Sequence, residues 1–81
     1  MKTQTVIDPI IIAFTCAQIK IDAVNYRALA LTVATNEAKA QEVVTGMGYT
    51  HQSDIYYRKG DKLISILALP AGGVQIQYNR A

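Results

Sequence analysis

The fold of this chain depends on residues 25–34, which read NYRALALTVA. As a helix, the segment places Tyr26, Leu29 and Val33 on one face at helical spacing. As a strand, it alternates leucine or valine with alanine or threonine, which fits a period of two equally well. Because alanine has the highest helix propensity, the sequence predicts a helix over 25–34. A strand over 26–34 stays open as the alternative.

The residues before this segment predict an earlier helix over about 9–23. Asp8 can accept hydrogen bonds from the free amides at a helix start, and Pro9 suits the first helical position. Apolar side chains recur at helical spacing, at Ile10, Phe14, Ala17, Ile21 and Val24. A strand is the competing interpretation, but its apolar phase slips along the segment and would require a bulge. Cys16 lies in this apolar run, so we expect a buried thiol.

The residues after the decisive segment predict another helix over 36–46. Thr35 or Asn36 can cap its first turn. Gly46 or Gly48 ends it, because glycine adopts the left-handed conformation at little cost. Its apolar stripe comprises Ala40, Val43, Val44 and Met47. A helix with one apolar stripe packs that side against the rest of the domain.

The C-terminal part of the chain predicts an antiparallel sheet. A strand begins at Ile55, and the turn at 59–61 joins it to the next apolar run as a hairpin. The run over 63–69 is apolar on both faces and is expected to be a central, buried strand. Residues 74–79 alternate between apolar and amide side chains, so one face of this strand meets water or a partner.

With 81 residues, the chain predicts one small α+β domain over 1–81. In the preferred arrangement, helices near 9–23, 25–34 and 36–46 form the N-terminal half and pack on the C-terminal hairpin or three-stranded sheet. In the alternative arrangement, a strand at 26–34 gives the order β-α-β-β-β, with one helix on an antiparallel sheet.

The composition indicates a globular domain that is poor in charge. Hydrophobic residues make up 51% of the chain and charged residues 17%, against a usual value of about 25%. Such a small domain often hides surface in a partner, and a homodimer is the simplest form of that arrangement. The net charge is +2 and the isoelectric point about 8.8, and the basic residues cluster only at 58–62.

The sequence contains no catalytic, metal-binding or cofactor-binding motif, so we expect a non-enzymatic protein without a cofactor. His51 is the only histidine, and Asp54 three residues later forms no defined pair with it. The apolar run at 10–13 is too short to span a membrane. A single cysteine and no secretory signal favour the cytoplasm.

Residues 26–49 resemble a helix-turn-helix. Small residues, Ala30 and Ala40, occupy the places where two helices cross closely, and residues 34–36 take the place of the turn. The ending Met47-Gly48-Tyr49, followed by a hairpin, is similar to the join between recognition helix and wing in winged-helix proteins. The resemblance covers about residues 9–69 and rests on packing positions.

A winged-helix fold implies a DNA-binding or regulatory protein. The helix over 36–46 would then enter the major groove and turn Asn36 and Lys39 towards DNA. Arg58, Lys59 and Lys62 at the tip of the wing would contact phosphates, which adds affinity without sequence information.

The alternative function is a small protein-interaction or inhibitor module that covers the surface of a partner protein. Tyrosine is enriched at the energetic centres of interfaces. The candidate contact residues are Tyr49, Tyr56, Tyr57 and Tyr78. Phages and mobile elements encode many small proteins of this kind. The sequence therefore leaves DNA and a protein as the two candidate partners.

Overall fold

The computed structural model describes the backbone of residues 4–80 and the side chains of residues 7–79. It contains two helices and six strands, in the order α1 (Gln4–Cys16), β1 (Ile21–Asn25), β2 (Ala30–Val33), α2 (Glu37–Gly46), β3 (Thr50–Ser53), β4 (Tyr56–Lys59), β5 (Lys62–Ala68) and β6 (Val74–Arg80). The predicted α+β class is confirmed, but the domain is richer in strands than the sequence suggested. No helix in the described part of the chain has both the length and the apolarity to cross a membrane.

All six strands form one antiparallel sheet in the order β1-β2-β6-β5-β4-β3. Helix α1 packs on β1 and β2, and α2 packs on β5 and on α1. Both helices therefore cover the same face. The core between the layers includes Ile10 and Phe14 of α1, Val44 of α2, and Ile66 and Ile76 of the sheet.

The other face of the sheet, here called the open face, carries no helix. Its central row runs across all six strands through Asn25, Ala30, Gln77, Ser65, Tyr56 and Ser53. One flanking row contains Ala23, Thr32, Gln75 and Leu67. The other flanking row contains Asn79, Leu63, Arg58 and Thr50. Alternate residues of the same strands point into the core, as the period of two requires.

The predicted helix over 25–34 is wrong in type. Residues 26–29 form a turn, in which Leu29 has a φ of 53° and the Asn25 side chain accepts a hydrogen bond of 3.0 Å from the Ala28 amide. Strand β2 follows and pairs with β6, which buries Leu31 and Val33 against the helices. That burial outweighs the helix propensity of alanine. The alternative strand at 26–34 is right in type, although the domain has more elements than β-α-β-β-β.

The predicted helix over 9–23 is also displaced. Helix α1 spans Gln4–Cys16, so Pro9 lies inside it, and residues 21–25 form a strand. The helix ends because Gln18 adopts a φ of 62° and the Ile19 amide donates to the Phe14 carbonyl over 3.0 Å. The thiol of Cys16 is exposed at this end, so the expectation of burial is wrong.

The helix predicted over 36–46 is confirmed as α2. The prediction that 63–69 is a central, buried strand is right about its place in the sheet, since β5 lies between β6 and β4. Its burial is incomplete, because Ile64 and Ile66 face the helices while Leu67 lies exposed on the open face. An antiparallel sheet needs only one face covered, and β5 follows that rule although its sequence is apolar throughout.

Candidate functional site

Asn36 and Lys39, predicted to meet DNA, both stabilise the start of α2. The Asn36 Oδ1 atom accepts a hydrogen bond of 2.8 Å from the Lys39 amide, which caps the helix. The Lys39 Nζ atom lies 3.0 Å from the Glu42 carboxylate. Both residues are exposed on the outer side of the helical layer.

The three basic residues of the predicted wing lie on two different faces. Arg58 belongs to the open face, where its Nε atom donates to the Gln52 side chain. Lys59 and Lys62 are directly paired across β4 and β5 and belong to the opposite face. The Lys59 ammonium lies 5.9 Å from the ring centre of Tyr49, a cation–π contact. The hairpin tip is therefore basic on both sides.

The four tyrosines do not form one exposed surface. Tyr49 and Tyr57 are buried in the core, and Tyr78 packs against it from β6. Tyr56 lies half-buried on the open face. The structure therefore separates Tyr56 from the other three candidates.

The buried tyrosines have altered acidity. Burial raises the pKa of Tyr49, and the neighbouring Tyr78 adds to the shift. Burial raises the pKa of Tyr57 as well, and the negative charge of Glu37 adds to it. Both hydroxyls therefore stay neutral up to a higher pH than in a free peptide.

His51 lies at a shallow hollow between α2 and the edge of the sheet. The hollow has a volume of about 520 Å³. Its lining comprises Ala38, Gln41, Glu42, Thr45, His51 and Tyr57. The His51 Nε2 atom lies 2.9 Å from the Asp54 carbonyl oxygen, and its ring centre is 5.0 Å from that of Tyr57. No group of three metal-ligating side chains occurs in the described part of the chain.

Three exposed apolar side chains belong to α1, to β1 and to the turn after β1. Ile12 is 61% exposed, and Val24 and Tyr26 are also exposed. The Tyr26 hydroxyl donates a hydrogen bond of 3.2 Å to the Asp8 carboxylate, which ties the turn after β1 to α1. We call Asp8, Ile12, Val24 and Tyr26 the apolar corner.

The spacing of residues along α1 and β1 places Ile12 and Val24 at the same height along the two elements. Ile12 lies one helical turn beyond Asp8 on the same side of α1, a rise of about 6 Å. Val24 lies two residues before Tyr26, which begins the turn after β1, and Val24 faces the helical layer like its partner Leu31. Because α1 and β1 run in opposite directions and Asp8 contacts Tyr26, Ile12 comes level with Val24.

Comparison of the chain with models of known families, with curated proteins and with solved structures gave no match.

Sequence reasoning did not identify the apolar corner. Val24 was predicted to lie on the apolar stripe of the helix over 9–23, and Ile12 had no place in that stripe. Tyr26 was assigned to the apolar face of a helix over 25–34, but this segment forms a turn and a strand. The open face left a clearer signal, because Gln75, Gln77 and Asn79 alternate with buried residues along β6.

Proposed function

We propose that this chain is a small, non-enzymatic interaction module that binds a partner protein through the apolar corner. The observation that carries the proposal is the grouping of Ile12, Val24 and Tyr26 at one corner. Leu67, on the far face of the sheet, is the remaining large hydrophobic side chain that is exposed among residues 7–79. Single exposed apolar residues are ordinary, but an exposed group of them is typical of a protein-binding surface.

The apolar corner is suited to specific docking because part of it is held in place. The hydrogen bond from Tyr26 to Asp8 restrains the tyrosine ring before a partner arrives. A restrained aromatic side chain loses less entropy on binding and makes a good energetic centre. Partial desolvation and the charge of Asp8 raise the pKa of Tyr26 above its usual value, so its hydroxyl stays a donor up to a higher pH than in a free peptide.

The mechanism that follows is occlusion. A partner would place apolar side chains against Ile12 and Val24 and a polar group near the Asp8 carboxylate. A chain of 81 residues that acts in this way regulates or inhibits its partner by covering a surface. We further propose a cytoplasmic location, because the exposed Cys16 thiol persists in a reducing compartment.

Affinity purification from the cells that produce the protein tests this function. The baits are the wild-type chain, the Ile12→Ser variant and, as a matched control, the Leu67→Ser variant, which removes an exposed apolar side chain elsewhere. We expect one protein to be retained by the wild-type and Leu67→Ser baits and lost from the Ile12→Ser bait. Equal recovery on all three baits would contradict the proposal.

Nucleic-acid binding through the β4–β5 hairpin is the second candidate function. One observation favours it: Lys59, Lys62 and Arg80 occupy neighbouring register positions across β4, β5 and β6. A row of basic positions at one end of a sheet can track a phosphate backbone. Asn36 and Lys39 would contribute less, since one caps α2 and the other pairs with Glu42.

A further inference from the structure

We propose that a second copy of this chain covers the open face. The two sheets stack face to face about a two-fold axis that runs parallel to the strands, between β5 and β6. This axis places β6 of one copy over β5 of the other, and β2 over β4. The inference does not rest on Ile12, and the apolar corner adjoins the β1 edge of the open face.

The chemistry of the open face suits contact with its own copy. Arg58 is the single charged residue in the three rows that form this face. A solvated sheet face normally carries charged side chains, whereas the centres of interfaces are depleted of them. The polar residues of the central row are amides and hydroxyls, which both donate and accept hydrogen bonds. Such groups can pair with an identical surface, as a two-fold interface requires.

The shape of the open face is also complementary to itself. On β1 and β2 the small side chains of Ala23 and Ala30 line a hollow of about 520 Å³, and its other lining residues include Val24, Tyr26, Thr32 and Gln75. On β4 the large side chain of Tyr56 stands in the same row as Ala30. Because the axis places β4 over β2 without changing the row, Tyr56 of each copy enters the hollow above Ala30 of the other. Gln77 likewise lies over the short Ser65.

The size of the face is consistent with a weak dimer. A strand residue covers about 16 Å² of a sheet face, since residues rise about 3.3 Å and strands lie about 4.8 Å apart. The six strands therefore offer about 500 Å² on each copy, and a stacked pair buries about 1,000 Å². That value is at the lower end for specific interfaces, so we expect dimerisation in the micromolar range.

The edges of the sheet are less suited to pairing with a second copy. Strand β1 is irregular between Ile21 and Ala23, and β3 between His51 and Ser53. Bulges at an edge twist the backbone away and interrupt the row of free amides and carbonyls. Face-to-face stacking uses the central strands, which are regular.

Sedimentation equilibrium of the full chain, with a swap of the two complementary residues, tests the proposal. We expect the wild-type mass to approach twice 8.9 kDa as concentration rises. Tyr56→Ala removes the projecting ring and Ala30→Tyr fills the hollow, so each should raise the dissociation constant at least about tenfold. The double variant should return it to within about threefold of wild type. Ala30 and Tyr56 are three strands apart in one chain, so recovery must occur between copies.

Two further variants keep the test decisive. Leu67→Glu places a charge inside the stacked face and should also give a monomer, whether or not Ala30→Tyr folds. Ile12→Ser changes the apolar corner and should leave the dimer intact. The proposal is overturned if the wild-type chain stays monomeric at about 1 mM, if the double variant is as weak as the single variants, or if Ile12→Ser abolishes the dimer.

Discussion

Ile66 and Leu67 are consecutive residues of β5, yet Ile66 is 1% exposed and Leu67 is 46% exposed. The two side chains leave the strand on opposite faces, one towards the helices and one towards the open face. Similar apolar residues therefore have different roles in this sheet. The core needs the first, and the second is available for contact with another molecule.

Truncation of these two neighbours should have unequal effects on stability. We expect Ile66→Ala to lower the free energy of unfolding by about 2–5 kcal/mol, because it leaves a cavity between the sheet and the helices. Leu67→Ala should lower it by less than about 1 kcal/mol. Urea unfolding of the two variants measures the difference at a protein concentration too low for self-association. Equal losses would contradict the assignment of the two faces.

Stability should fall in alkali because two core tyrosines must stay neutral. The pKa values of Tyr49 and Tyr57 are raised above the free value of 10.0 in the folded protein. A raised folded pKa gives full stability below pH 10, and this stability is lost as pH rises through the folded value. Thermal unfolding at pH values from 8 to 12 measures the loss.

Phenylalanine variants separate this effect from general alkaline damage. Tyr49→Phe and Tyr57→Phe remove the ionisable hydroxyl and keep the ring, so each should flatten the decline above pH 10. Tyr56→Phe, on the open face, is the control and should decline like the wild-type protein at a concentration too low for self-association. Identical pH profiles for all three variants would show that ionisation in the core does not limit stability.

Glycine is required at position 73 for two reasons. Gly73 has a φ of +85°, and a Cβ atom there would lie 3.0 Å from the Val33 carbonyl oxygen in β2. Gly60 also has a positive φ, of +62°, but has nothing within 4 Å of a Cβ position. We expect Gly73→Ala to lower the free energy of unfolding by at least about 1 kcal/mol more than Gly60→Ala. Both variants force alanine into a positive φ, but only Gly73→Ala also adds a steric clash. Comparable unfolding midpoints would contradict the close approach.

The second candidate function predicts a specific salt dependence. If the hairpin binds DNA, the Lys59→Ala/Lys62→Ala variant should reduce the slope of log affinity against log salt by about 2. Fluorescence anisotropy with a labelled duplex of random sequence measures the slope. Lys39→Ala is the matched control, because its ammonium is already paired with Glu42. No binding by the wild-type chain at low salt would remove this candidate.

Residues with strong local signals could be predicted from the sequence. Asn36 as a cap, together with Gly46 at the end of α2 and Gly48 just after it, defined that helix correctly. The alternation of Val74 and Ile76 with Gln75 and Gln77 predicted β6 and its two unlike faces. These signals are local, since each depends on residues a few positions apart.

Residues 25–34 could not be assigned in this way because their apolar pattern fits both the helix period and the strand period. The outcome depends on β6, which lies more than forty positions later and supplies the hydrogen bonds and the apolar neighbours of Leu31 and Val33. The apolar corner could not be predicted from the sequence for the same reason. Ile12 and Val24 come to the same level only when β1 runs back along α1, whereas the predicted helix over 9–23 treated Val24 as part of its apolar stripe.

The most direct test of the proposed function is site-specific photo-crosslinking at the apolar corner. In one variant a benzophenone amino acid replaces Ile12, where it keeps the apolar character of the surface. In the other variant it replaces Glu42 on the outer side of α2. We expect irradiation in the producing cells to give one discrete adduct with a second protein from position 12 and none from position 42. The absence of an adduct at position 12, or the same adducts from both positions, would contradict the proposed function.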